Sequence, residues 1–123
     1  MDQLTLRPFR FDELEEIAAR GVRMQPGDGP ADYIIVRQGP RVFAYRNRCP
    51  HTGVSLEWLP NQFLSLDGGY LQCATHGALF RLDNGYCVRG PCAGQSLQSL
   101  EVRLRDGWVE LVPEARTRGC GNG

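Results

Sequence analysis

The chain contains two histidines, His51 and His76, and each follows a cysteine within three positions. Residues 49–53 read CPHTG, and residues 73–77 read CATHG. A thiolate and an imidazole held close together can ligate a metal ion. By simple counting, two such coincidences in a chain of this composition arise by chance on the order of once in a hundred. A glycine follows each pair, Gly53 and Gly77, which makes coincidence rarer still.

The pattern is Cys49-x-His51, a spacer, then Cys73-x-x-His76. Structural zinc in a two-cysteine, two-histidine site usually takes both cysteines from one half and both histidines from the other. Here each half supplies one of each. A [2Fe–2S] centre with two cysteines on one iron and two histidines on the other matches that split. The ligand set alone leaves zinc as an alternative.

With CPHTG (49–53), CATHGALF (73–80) and GPCAG (90–94), the sequence resembles the Rieske iron–sulfur family. The resemblance covers roughly residues 33–112. It implies that Cys49 and Cys73 ligate the buried iron, and His51 and His76 the iron nearer solvent. Thr52, Gly53, Gly77 and Pro91 would line the cofactor, with Gly90-Pro91-Cys92 as a rigid cover that excludes water. Two departures matter. The spacer is longer than the family's, with the excess around residues 57–69, where Trp58, Leu59, Pro60 and Phe63 read as core. The paired cysteines that brace the cluster in respiratory members are replaced by Val54 and Thr75, and Gly77-Ala78-Leu79-Phe80 carries no hydroxyl. Fewer hydrogen bonds to sulfur imply a potential near the low end of the Rieske range, about −150 mV. Arg46, Arg48, Arg81 and Arg89 flank the motifs and would raise the potential slightly wherever they approach it.

The elements that must hold these loops read as β. Residues 33–47 form two runs around Gln38-Gly39-Pro40, a hairpin signal. Asn84-Gly85 and Asp106-Gly107 are favoured hairpin turns. Leu100, Val102 and Leu104 alternate with Glu101, Arg103 and Arg105, as in a half-buried strand. In residues 11–21, Leu14, Ile17 and Ala18 share one helical face, so one short N-terminal helix is expected there. The fold class is therefore all-β, a Rieske-type antiparallel sandwich or barrel. We expect one domain over residues 1–112, a cluster-binding subdomain at about 46–94, and a flexible tail over 113–123.

Composition narrows the function. Fourteen basic residues, all arginine, balance fourteen acidic ones, which argues against nucleic acid as the partner. The acidic N-terminal region is unlike a secretory leader, and no run approaches the ~18–20 apolar residues of a membrane span. A cytoplasmic protein is expected. Its five cysteines then suit metal binding better than a disulfide framework, with Cys87 and Cys92 as thiols. Oxygen activation in Rieske oxygenases needs a second iron held by two more histidines and a carboxylate. No histidine remains for that site, or to activate a nucleophile. The expected role is a ferredoxin-like electron carrier between a reductase and a terminal enzyme, such as a ring-hydroxylating oxygenase. Alternatives are a small subunit or regulatory module of a larger reductase, such as nitrite reductase, and a zinc-stabilised structural module.

Overall fold

The computed structural model describes residues 5–24, 30–50, 53, 55–56, 62–73, 77–91 and 93–113, and the backbone alone at 114–116. Nine strands follow in chain order: β1 (Leu6–Arg10), β2 (Ile17–Val22), β3 (Tyr33–Gln38), β4 (Arg41–Arg46), β5 (Tyr70–Gln72), β6 (Leu79–Arg81), β7 (Cys87–Arg89), β8 (Ser99–Arg105) and β9 (Trp108–Arg116). Six make one antiparallel sheet in the order β1-β9-β8-β4-β3-β2, and three make a small sheet, β5-β6-β7.

The turns explain the ladders. Gln38 pairs with Arg41 across Gly39-Pro40, and Gly39 has φ 62°. A positive φ followed by proline suits a type II′ turn, whose twist matches that of the strands. Arg105 pairs with Trp108 across Asp106 (φ 54°) and Gly107 (φ 81°), the double positive φ of a type I′ turn. The Asn84-Gly85 hairpin has a wider loop: Arg81 N–H donates to Tyr86 O, and Gly85 (φ 73°) closes back on Arg81 O.

Strand β3 shows why the large sheet is so apolar. Ile34 and Val36 face one buried cluster, and Tyr33 and Ile35 face another. A strand covered on both faces reads as a continuous apolar run instead of alternating. The first cluster joins this sheet to the small one through Tyr45, Leu56, Phe63, Leu71, Phe80, Leu82 and Leu97. The second gathers Leu14, Ala18, Ala44, Leu100, Val109 and Leu111 on the opposite face.

The helix expected over residues 11–21 does not form. Phe11–Glu13 make a single 3-10 turn, and Ile17–Val22 are strand β2. Of the residues on the supposed apolar stripe, Leu14 and Ala18 are buried while Ile17 is 48% exposed. A helix this short is marginal by itself. As a strand, the segment gains six registered pairs with β3 and buries Ala18 and Ala19 on opposite faces.

The strand expected to end at Val112 runs on to Arg116 as β9, so the expected tail boundary at 113 falls inside a strand. The register shifts there: Glu101 pairs with Val112, but Leu100 pairs with Arg116. An irregularity of this kind is where a sheet tolerates a proline, here Pro113. Residues 117–123 lie outside the described residues.

The long spacer is partly core. Phe63 is fully buried, as the sequence suggested, and Leu64 bridges Leu71 beside β5. Its turn is organised by Asp67 Oδ1, which accepts from Ser65 Oγ (2.7 Å) and Gly69 N–H (2.9 Å). Those bonds hold the Asp67 carboxyl below the usual carboxylate range. Trp58, Leu59 and Pro60 lie outside the described residues.

Candidate metal centre

The two pentads close in the same way. Gly53 N–H donates to Cys49 O at 2.8 Å, and Gly77 N–H donates to Cys73 O at 2.9 Å. Each is a five-residue turn ending in a left-handed glycine, at φ 78° and 69° respectively. A side chain at either position would strain the turn, which is the physical reason for the repeated glycine. The bonds reach from cysteine to glycine over three intervening residues in each pentad.

The supports differ. The second turn caps the β5–β6 hairpin, and Cys73 N–H donates to Ala78 O at 2.9 Å. The first follows β4 and, among the described residues, has no partner strand of its own beyond it. A buried amide holds it: Asn47 Nδ2 donates to Ala31 O at 2.9 Å, and Asn47 Oδ1 accepts from Leu56 N–H at 2.8 Å. Nothing in the sequence singled out Asn47.

A third loop packs against the second turn. Residues 90–94 connect β7 to Gln95 and Ser96; Cys87 N–H donates to Gln95 O, and Gly94 N–H donates to Cys87 O. Because β5 and β7 run the same way, the 73–78 and 90–94 loops emerge at one end of the small sheet. A Cβ on Gly90 (φ 108°) would stand 2.8 Å from Ala78 Cα. Only glycine permits that approach, and it sets Pro91 next to the second turn. Tyr45 fastens the small sheet to the large one. Its hydroxyl donates to Leu82 O at 2.7 Å, and its ring sits where a Cβ on Gly85 would be, 2.9 Å from Cε1. Burial raises the Tyr45 hydroxyl pKa well above its usual range.

Cys49 and Cys73 are 3% and 1% exposed, and both belong to the cluster that contains Leu56, Leu71, Ala78 and Phe80. His51, His76 and Thr52 lie outside the described residues, as do Val54, Thr75 and Cys92. Two buried cysteines in an apolar shell suit a metal group, because a thiolate there needs a cation to offset lost hydration. Cys87 is also buried, and its Sγ donates to Arg89 O at 3.2 Å, away from either turn.

Three of the four flanking arginines separate into two kinds, and the fourth, Arg89, is exposed. Arg81 is neutralised by Asp83 through a two-pronged pair, Nε–Oδ1 and Nη2–Oδ2, both 3.0 Å. The same bonds hold the Asp83 carboxyl below its usual range. Arg46 and Arg48 instead line a concavity shared with Cys49, Gly53, Ser96 and Gln98. Gln98 Nε2 is buried and finds no hydrogen-bond partner among the described residues.

Comparison with known proteins decides the family. Residues 10–110 match the family described as the Rieske [2Fe-2S] domain. The chain belongs to that family. It carries a Rieske-type [2Fe–2S] cluster, which is a one-electron carrier. Among curated proteins, the Rieske-family chain is 29% identical over 100 residues to ferredoxin CarAc of Metapseudomonas resinovorans, covering 76% of this chain and 88% of that one. Among solved structures, it resembles a chain in the complex of reduced oxygenase and oxidised ferredoxin of carbazole 1,9a-dioxygenase. That likeness has a TM-score of 0.72 and 25% identity, covering 95% of this chain and all of that one. The Sphingomonas yanoikuyae B1 ferredoxin shares the fold at TM-score 0.64 and 22% identity, covering 90% of this chain and 98% of that one.

Proposed function

We propose that Cys49 and Cys73 ligate one iron of the cluster and His51 and His76 the other, and that this protein delivers single electrons from a reductase to a terminal ring-hydroxylating oxygenase. The observation that carries the ligand assignment is the pair of matched turns, each presenting a buried cysteine and closed by a left-handed glycine. The cluster, when bound, supplies one-electron storage at two histidine-ligated and cysteine-ligated irons. Thr52, Gly53, Gly77 and Pro91 form its surroundings. Gly90 holds Pro91 close to the second turn and so helps keep water from the cluster. The oxygenase acceptor is supported by the relatives, one of which is a ferredoxin in complex with an oxygenase.

Docking is transient and centres on the tip bearing His51 and His76, with a small interface of the kind typical of redox encounters. The domain, expected over residues 1–112, takes in the whole of β9 to Arg116, with its cluster-binding part at about 46–94. Among the described residues no helix is long and apolar enough to cross a membrane. A cytoplasmic location is the reading we adopt.

EPR of the dithionite-reduced protein, with iron and sulfide analysis, tests the assignment. A Rieske signal with two irons and two sulfides per chain is expected. Replacing His51 or His76 by cysteine should change the spectrum, and replacing Cys92 should not. Zinc in place of iron, with no signal, would overturn it. The midpoint potential should lie near the low end of the Rieske range, about −150 mV; a value well above zero at neutral pH contradicts it. Rapid mixing of the reduced protein with an oxidised ring-hydroxylating oxygenase should transfer one electron per chain.

A further inference from the structure

The concavity beside the first turn is rich in donors. Its charged walls are Arg46 and Arg48, its polar walls Ser96 and Gln98, and among the described residues no carboxylate lines it. Five other arginines, Arg7, Arg10, Arg20, Arg81 and Arg103, each pair with an acidic side chain. Among the described residues Arg46 and Arg48 form no ion pair. They are nonetheless held in place. The Arg46 guanidinium lies 5.6 Å from the centre of the Tyr33 ring, and its backbone N–H donates to Gln98 O at 2.9 Å. The Arg48 guanidinium lies against Gly53, with Nε 3.5 Å from where a Cβ would stand. The absent side chain at Gly53 thus leaves room for a cation to rest on the turn. Gln98 also lines the notch, though its Nε2 is buried below the surface and unmatched within the described residues.

We propose that this notch receives a carboxylate, the side chain of an aspartate or glutamate on the redox partner. Two guanidiniums offer several N–H donors to one anion, and guanidinium matches the planar carboxylate with two parallel bonds. The position gives the contact its purpose. The notch shares Cys49 and Pro50 with the first turn, so an acidic side chain anchored here brings its protein against the cluster loop. Complementary charge at such a contact acts mainly on encounter rate and orientation. The inference rests on the reading that the ligand turns form the docking tip, and it adds the chemistry of the anchor.

The test uses voltammetry of the cluster-loaded protein on gold electrodes coated with carboxylate-terminated alkanethiols. Rates are compared at zero overpotential, so a change in midpoint potential drops out. At low ionic strength the double variant Arg46→Gln/Arg48→Gln should transfer electrons about tenfold more slowly than wild type or worse. The Arg105→Gln variant, which removes an exposed charge on β8, should stay within about twofold of wild type. Salt should erase most of the difference. Equal rates for the double variant and wild type, or an equal loss in Arg105→Gln, overturn the proposal. Faster transfer by wild type on a phosphonate-terminated surface also overturns it, in favour of a phosphate-bearing partner. A second measurement does not need the cluster. Acetate, exchanged for chloride at constant ionic strength, should raise the melting temperature of wild type and of Arg105→Gln, but not of the double variant. No acetate effect on wild type counts against the notch. An absent Rieske EPR signal would instead refute the cluster reading and leave this measurement standing.

Discussion

The two cysteine turns share a closure but not a foundation. The 73–77 turn is the tip of a hairpin, braced by strands on either side and wedged by Gly90 against Ala78. The 49–53 turn hangs from the end of β4 and is anchored by one amide side chain, Asn47, reaching both Ala31 and Leu56. One site is thus assembled by two routes, the first by backbone ladder and close packing, the second by a buried polar tether. The difference teaches that symmetric motifs in a sequence need not have symmetric support. It also places the charged notch on the side with the polar tether.

The comparison breaks most readily at Gly90. Gly90→Ala would drive a methyl group to 2.8 Å from Ala78 Cα at a positive φ, and should cost about 3 kcal/mol. The cost should fall on the second turn, with faster loss of iron on standing, measured by visible absorbance. Gly94→Ala is the control: its φ is also positive at 93°, yet nothing lies within 4 Å, so only the backbone strain should appear.

Asn47→Ala comes next. It leaves Leu56 N–H and Ala31 O without the side chain that joins them, and should cost about 2 kcal/mol in urea unfolding. If the tether serves the first turn, the Asn47→Ala protein should also lose its cluster faster than an equally destabilised variant of the large sheet. Equal cluster lifetimes would show that Asn47 stabilises the fold generally and does not hold the turn.

Gly53→Ala and Gly77→Ala sharpen the shared part. A Cβ at Gly53 meets nothing closer than 3.5 Å, and one at Gly77 nothing closer than 3.7 Å, so both should cost only the left-handed strain, about 1 kcal/mol each. Equal penalties support twin closures; a clear inequality would show that the turns are mechanically different.

The smallest effect lies far from the turns. Glu110 is buried, with Arg103 Nε at 3.0 Å and Arg7 Nη2 at 2.7 Å. Hydrogen bonds from Arg103 and then Arg7 hold its carboxyl below the usual glutamate range. A pKa depressed by folding adds stability that is complete above the unfolded value, about 4.3. That stability is lost as pH falls through the folded value. Glu110→Gln should flatten the acid side of the far-UV melting profile, and leave the pH at which visible absorbance bleaches unchanged.

The proposed ligand set stands out in the chain. Cysteine and histidine are sparse and chemically distinctive, so their spacing stands out against any background, and glycine after each pair announces a turn that only glycine completes. The β hairpins at Gly39-Pro40 and Asp106-Gly107 were legible for a similar reason: local dihedral demands name their residues. The segment 11–21 misled because Leu14, Ile17 and Ala18 fit helical spacing by accident. A strand pairing with β3, distant in sequence, decided the matter by burying both faces of β2. Pro113 misled likewise, since only the register shift opposite Leu100 shows how a strand continues past it.

The sequence by itself pointed to metal ligation and the all-β class, and it holds no histidine beyond the two proposed as ligands. These depend on residue types and short spacings, which a chain carries before it folds. Tertiary structure alone decided which groups share a space. It neutralised Arg81 with Asp83, left Arg46 and Arg48 facing a notch with Gln98, and made Asn47 the tether of one turn. Those outcomes turn on distances between residues many positions apart, and a one-dimensional pattern does not contain them.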